Sequence, residues 1–384
     1  MSKRRRTAII QAGIGEDAAH NAVIPPLYLS STFEIGGIGD APDFQYSRTK
    51  NPTRDQLAKA MTELEGGVGA VVTSSGMAAI TLFIHLLNPD DLLFAPYDCY
   101  GRAYRLLVTL ADKGHFRLKF IDQYDADAVA QAFDEDTPKM VFIESPSNPV
   151  MRIADIGDIA ARAKAAGAIT VCDNTFLSPM LQQPLALGAD IVMHSTTKFI
   201  NGHSDVIGGC VVTNNADIFT DLEFWANSLG VIGAPFDSFM TLRGMRTLEL
   251  RVHRAEENAA KIVSLLNAHE SIENVYYPGL TTHSGHEIAK KQQEGFGSML
   301  SFTLKGGLPA VKRFVNALAV FRLAQSLGGT ESLINHPATM THVSMGDEAR
   351  AKAGVTDGLL RLSVGVEHIE DLAQDLERAL KAAE

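Results

Sequence analysis

Ile191-Val192-Met193-His194-Ser195-Thr196-Thr197-Lys198 carries an apolar run into hydroxyls and a lysine, and a glycine-rich loop follows it. Upstream, a second apolar run, Ala168-Ile169-Thr170-Val171-Cys172, ends in Asp173. Read as two strands, these segments put a lysine beyond one carboxyl end and an aspartate at the other. That pair suits a pyridoxal phosphate site. The lysine amine joins the cofactor aldehyde as a Schiff base, and the carboxylate pairs with the protonated pyridine nitrogen. Ser195 and Thr197 stand where hydroxyls can bind the phosphate.

Outward from this stretch, short apolar runs alternate with amphipathic helices. Strands are expected at Ala70-Val71-Val72, Asp91 to Ala95, Phe116 to Ile121 and Met140 to Glu144, then at the runs ending near Asp173 and His194. Between them the 3.6-residue spacing predicts helices from Asp55 to Leu64, Met77 to Leu87, Ala103 to Ala111, Asp125 to Phe133 and Ile156 to Ala166. Such alternation argues for a mostly parallel sheet covered on both faces, with ligands beyond the carboxyl ends of its strands. Residues 1 to about 50 show little periodicity and read as an arm lying against a neighbouring subunit. Residues 51–239 read as the large cofactor domain and 240–384 as a smaller α+β domain. Across their boundary, Pro235 to Leu266 is helix-rich, with Arg243, Arg246, Arg251, Arg254 and Glu256 on a charged face. Strands near Tyr276, Met299 to Leu304 and Leu359 to Val364 and a last helix from Ile369 to Ala383 follow.

The chain has 384 residues, enough for two domains, and a net charge of −11, which argues against nucleic acid as a partner. The basic run Lys3-Arg4-Arg5-Arg6 reads as a solvated tail. Three cysteines without CxxC spacing, no secretory signal pattern and no long apolar segment lead to an expected cytoplasmic location away from membranes. The histidine pairs His283/His286 and His336/His342 lack companion ligands at zinc spacing, so no metal site is expected.

Other candidates sit at the ends of the same strands. Ser74-Ser75-Gly76-Met77 joins a strand to a helix, where glycine allows close approach and free amides bind phosphate. Tyr97 and Tyr100 follow another strand, and either ring can stack on a flat cofactor. Glu144-Ser145-Pro146-Ser147-Asn148-Pro149 ends a third strand and offers the Asn148 amide to a carboxylate. Arg361, inside an apolar strand, needs an anion, and a substrate α-carboxylate would serve.

Taken together, several motifs resemble the Cys/Met-metabolism pyridoxal phosphate enzymes. They are Tyr46-Ser47-Arg48, Asn51-Pro52-Thr53-Arg54, Ser75-Gly76-Met77, Asp173-Asn174-Thr175-Phe176, Ser195-Thr196-Thr197-Lys198, Ser326-Leu327-Gly328-Gly329 and Arg361-Leu362-Ser363-Val364-Gly365, along with the Glu144–Pro149 turn. The resemblance implies an α/β, fold-type-I transferase: a mostly parallel, seven-stranded sheet plus a smaller C-terminal domain. It implies a homotetramer built from two tight dimers that share their active sites. Lys198 would be the catalytic lysine and Tyr100 the stacking ring and acid–base group. Ser75, Gly76, Met77, Ser195 and Thr197 would hold the phosphate, and Asp173 the pyridine nitrogen. Tyr46 and Arg48 would reach a neighbour's phosphate. Arg361, Ser326 and Asn148 would bind the α-carboxylate, and Arg105 and Asn227 would shape the distal substrate pocket. The implied reaction is γ-replacement on an O-acylhomoserine, above all the succinyl ester, by cysteine, within trans-sulfuration. The alternative is a γ-lyase reaction cleaving the Cγ–S bond. Gln325 stands where relatives commonly carry a glutamate that recognises a substrate amino group, and Arg102 stands where a second glycine is frequent.

Overall fold

Seven short, largely apolar runs make the first sheet of the computed structural model, which describes residues 4–343 and 346–384. They are β1 (Gly69–Thr73), β2 (Leu92–Pro96), β3 (Arg117–Ile121), β4 (Met140–Glu144), β5 (Ile169–Asp173), β6 (Ile191–His194) and β7 (Gly209–Thr213). Their order is β1-β7-β6-β5-β4-β2-β3, parallel except where β7 runs antiparallel to both neighbours. Burial on both faces explains why the inner runs are apolar at successive positions, whereas β3, at the sheet edge, carries Arg117 and Lys119. Leu93, Ala95, Phe142, Val171 and Met193 face one helical layer, while Phe94, Val141, Ile143 and Cys172 face the other. Phe83, Phe94 and Phe142 are fully buried there, each contributing about 1.5–3 kcal/mol by leaving water.

Local chemistry sets the helix boundaries. Asn51 accepts from the amides of Thr53 and Arg54 to start the helix Pro52–Glu65, which ends at Gly66 with φ +73°. Asp125 and Asp155 cap the helices Ala126–Glu135 and Ile156–Ala165 in the same way. At these three helix starts one or two of the four amides left without a helical acceptor are thus satisfied by a short polar side chain.

The second sheet contains β8 (Ile272–Tyr276), β9 (Met299–Leu304), β10 (Arg322–Leu323), β11 (Leu333–Asn335) and β12 (Leu359–Ser363), in the order β10-β11-β12-β9-β8. The helices Gly307–Ala317 and Ile369–Ala383 cover it, with Phe314, Leu372 and Leu376 among its core. The architecture is therefore the expected mixed α/β one, a large mostly parallel sheet with a smaller second one.

Several elements differ from expectation. β7 and the helix Ala216–Leu229 were not anticipated, although Asn215 caps that helix by accepting from Asp217 and Ile218. The arm is not all irregular, since Arg5–Gln11 is helical and buries Ala8 and Ile9. Nor is the basic run simply solvated: Arg5 pairs with Glu294 and donates to Pro179 O, and Arg6 pairs with Glu249. Lys3 lies outside the described residues. Arg251 belongs to no charged surface. It is buried in the helix Leu248–Asn267, donates to Phe199 O (2.7 Å) and Gly244 O (2.9 Å), and burial lowers its pKa to about 10. A Cβ on Gly202 would fall 1.8 Å from its Nη1, and Gly202 has φ +70°, so this residue must be glycine. Arg251 thereby pins the loop that follows Lys198.

Candidate functional site

The carboxyl ends of β4, β5 and β6 open into a cavity of about 860 Å³, closed on its other side by β12 and the segment Ala324–Leu327. Its walls include Ser75, Gly76, Met77, Tyr100, Asn148, Asp173, Ser195, Thr197, Lys198, Gln325, Ser326 and Arg361. Residues from widely separated parts of the chain thus converge on Lys198.

Lys198 Nζ donates to Ser326 Oγ at 2.7 Å. Burial, helped by the positive charge of Arg361, lowers the lysine pKa to about 8. An ordinary lysine amine is almost fully protonated at neutral pH, so this shift raises the fraction of Lys198 present as the free, nucleophilic amine. Ser326 itself has φ +86°, a left-handed conformation rarely adopted by a residue with a Cβ. Strain of this kind costs about 1–3 kcal/mol and survives only where surrounding contacts impose it. Here the contacts are with Lys198 and Arg361.

Arg361 is buried on β12. It donates through Nη1 to Asn148 Oδ1 (2.7 Å) and through Nη2 to Ser326 O (2.9 Å), while Nε has no partner. Burial lowers its pKa to about 10, which still leaves it cationic at neutral pH. A buried cation with an unpaired donor beside a cavity is an anion receptor. His342, which sequence reading weighed only for metal, supports this corner. Burial and then the Arg361 charge lower its pKa to about 4, so it is a neutral donor from Nε2 to Asn148 O at 3.1 Å.

At the other end, Asp173 Oδ1 accepts from Thr175 N (2.9 Å), and Thr175 Oγ1 accepts from Ser195 N (2.9 Å). This chain of bonds ties β5 to the segment leading into Lys198. Asp173 faces Glu144 across paired strands. Burial raises both carboxyl pKa values, and for Glu144 the Asp173 charge adds to the effect. The His194 ring offsets this only in part at Asp173, and a protonated pyridine nitrogen would supply the cation that the two desolvated carboxyls call for. The helix Gly76–Ile84 points its first turn into the cavity, and Ser75 Oγ satisfies the Ala78 amide. A Cβ on Gly76 would lie 2.7 Å from Ser195 Cβ, so the phosphate cradle needs glycine for the two segments to touch. Thr197 differs from expectation: Oγ1 donates to Gly208 O (3.1 Å) and accepts from Gly208 N (2.9 Å), so its hydroxyl is spent on the loop. The residues present therefore fit pyridoxal phosphate.

Of the two tyrosines, Tyr100 lines the cavity. Tyr97 instead packs under Arg152 and Lys352, 5.4 and 5.0 Å from its ring centre. Arg102 and Gln325 line the mouth, as do Asp205 and Glu331, two acids that sequence reading did not single out. Arg105, Asn227, Tyr46 and Arg48 do not line this cavity. Arg48 donates to Asn227 O (2.7 Å) beside a separate cleft. Among the described residues no group of three or more His, Cys, Asp or Glu side chains is placed to hold a metal. No helix there is long and apolar enough to cross a membrane.

A family model described as "Cys/Met metabolism PLP-dependent enzyme" matches residues 6–381. Cystathionine gamma-synthase of Escherichia coli (strain K12) is 50% identical over 384 residues, covering 100% of this chain and 99% of the relative. Cystathionine beta-lyase of Lactococcus lactis subsp. cremoris (strain MG1363) is 46% identical, covering 98% of each chain. Cystathionine gamma synthase of Xanthomonas oryzae pv. oryzae, solved in complex with cystathionine, superposes with a TM-score of 0.98. It is 53% identical and covers 100% of this chain and 99% of its own.

Proposed function

Because the chain belongs to the Cys/Met-metabolism family of pyridoxal phosphate-dependent enzymes, we propose that it replaces the γ-acyloxy group of an O-acyl-L-homoserine, the succinyl ester foremost, with the sulfur of L-cysteine to give cystathionine. Pyridoxal phosphate, when bound, would supply an electron sink for the charge that develops at the substrate Cα. Lys198, Tyr100, Asp173 and the phosphate cradle of Ser75, Gly76, Met77 and Ser195 are the residues that would hold it and work with it, with Thr197 fixing the loop beside them through Gly208. The observation that carries the reading is the convergence of a lysine of lowered pKa (about 8) with a buried, incompletely paired arginine in one cavity.

Arg361, steadied by Asn148 and the Ser326 carbonyl, binds the α-carboxylate and thereby orients Cα toward Lys198. Lys198 Nζ then takes the Cα proton and later returns it. Ser326 Oγ, 2.7 Å away, holds the amine in place between these events. Tyr100 O–H serves as the acid–base group for the amine or the leaving carboxylate. Arg102 at the mouth suits the distal carboxylate of a succinyl ester, which an acetyl ester lacks. Tyr46 and Arg48 complete the phosphate site of a second subunit in a homotetramer, which accounts for their position outside the cavity of their own chain. Arg105 and Asn227 border the distal substrate pocket in the same assembly.

The test is incubation of the loaded enzyme with O-succinyl-L-homoserine, with and without L-cysteine, and separately with cystathionine. Cystathionine formation from the ester is expected, with 2-oxobutyrate formed when the thiol is omitted. Rapid cleavage of cystathionine with the ester untouched refutes the synthase reading, and 2-oxobutyrate among the products then selects the γ-lyase, a reading the neutral Gln325 leaves open because it alters recognition of a distal ammonium.

A further inference from the structure

Glu144 has no part in the chemistry outlined above, yet it is the last residue of β4, 5% exposed, and borders the cavity. Its two oxygens have separate tasks. Oε2 accepts from the backbone N–H of Tyr100 at 3.0 Å, and Oε1 accepts from the backbone N–H of Asn148 at 3.0 Å. We propose that Glu144 is a positioning residue that fixes the stacking tyrosine and the carboxylate-binding corner as one unit, so that neither can move without the other.

The connections run without a gap. Tyr100 N–H meets Glu144, Glu144 meets Asn148 N–H, and Asn148 Oδ1 accepts from Arg361. From the rear, His342 donates to Asn148 O. The Tyr100 turn has a further anchor two residues earlier, where Asp98 accepts from Arg152 Nη1 (2.7 Å) and from Tyr124 O–H (2.8 Å). With that turn held at Asp98 and the Asn148 turn held at His342, Glu144 is the direct bridge between them. A carboxylate is required because two N–H donors converge on it. A glutamine offers one oxygen and would set its NH₂ against the other N–H. An aspartate keeps the charge but retracts by one methylene and cannot span both turns.

The inference rests on the proposed function in taking Arg361 as the carboxylate site and Tyr100 as the ring that stacks on the cofactor, and its test needs no turnover. Holoenzyme is titrated with L-norvaline, an α-amino acid without a leaving group, following the absorbance change of the bound cofactor. The visible circular dichroism of the cofactor, recorded without ligand, reports the Tyr100 stack. Glu144→Gln and Glu144→Asp are each expected to weaken norvaline binding by about tenfold or more, the loss of one hydrogen bond to a charged group. Both are also expected to change the dichroism. If Glu144→Gln does not fold, Glu144→Asp carries the test alone. An effect confined to Glu144→Gln when both variants fold assigns the role to charge and overturns the proposal. So does a change in one readout without the other. Failure to form cystathionine from wild-type enzyme with unchanged norvaline behaviour would count against the proposed reaction and leave the clamp standing.

Discussion

Arg361→Met separates what the buried guanidinium does for substrate from what it does for folding. Burial lowers the Arg361 pKa from 12.5 to about 10, which corresponds to roughly 3 kcal/mol of unfavourable charge burial at neutral pH. Methionine removes that cost and the unpaired Nε together. It also gives up the bonds to Asn148 Oδ1 and Ser326 O, each worth about 1.5–3 kcal/mol to a charged donor. Together the two bonds are worth about 3–6 kcal/mol, so the net loss is about 0–3 kcal/mol and Tm should fall by no more than about 6 °C at equal cofactor loading. Substrate has no such compensation. Losing a paired contact to its α-carboxylate should lower kcat/KM by about 10²- to 10³-fold, mostly in KM, since the carboxylate is held before and during reaction. The assays are thermal melting of the loaded protein and initial rates over a range of acylhomoserine concentration. Intact kcat/KM combined with a Tm loss above about 10 °C would show that Arg361 is a structural group and refute the reasoning.

Lys198→Met should change the pH dependence of apoprotein stability. With Lys198 at about 8 against 10.5 unfolded, the unfolded chain binds more protons between those values. Wild-type stability relative to the variant therefore rises through that window by up to about 3 kcal/mol, and urea melts at pH 7 to 10.5 check the sign. Arg152→Met should cost about 3 kcal/mol in urea unfolding, because it strands the fully buried Asp98 side chain without its cation; a loss below about 1 kcal/mol would contradict this. Gly76→Ala should weaken cofactor affinity by at least about tenfold, measured by absorbance after dialysis, since its Cβ would overlap Ser195. Unchanged affinity would argue that the phosphate lies elsewhere.

Much of the fold and of the cofactor end was legible in the chain because those signals are local. The runs before Asp173 and Lys198 have strand length, Asp125 and Asp155 sit where helices start, and Gly66 stops one. β7 and the helix after it escaped because Gly209-Cys210-Val211-Val212-Thr213 lies among loop-forming residues and the strand reverses direction, a choice no single run encodes. The helix Arg5–Gln11 was hidden for a similar reason. Its stability comes from burying Ala8 and Ile9 and pairing Arg5 and Arg6 with distant acids, and its own short sequence gives little periodic signal.

The substrate corner was legible chiefly at Arg361 and, in the turn after β4, at Asn148. Arg361 inside an apolar strand demanded an anion, and that inference needed nothing beyond the cost of a buried charge. The choice of Tyr100 over Tyr97, three residues apart on one turn, depends on which ring faces the cavity and which packs under Arg152. The diversion of the Thr197 hydroxyl to Gly208 and the two-handed grip of Glu144 are likewise matters of distance between segments far apart in sequence. The sequence by itself determined the elements and the chemistry at the strand ends, because periodicity, capping and charge act over a few residues. The tertiary structure alone decided which of those groups meet, because convergence on Lys198 depends on placing β12 and Ser326 across from the carboxyl ends of β4, β5 and β6.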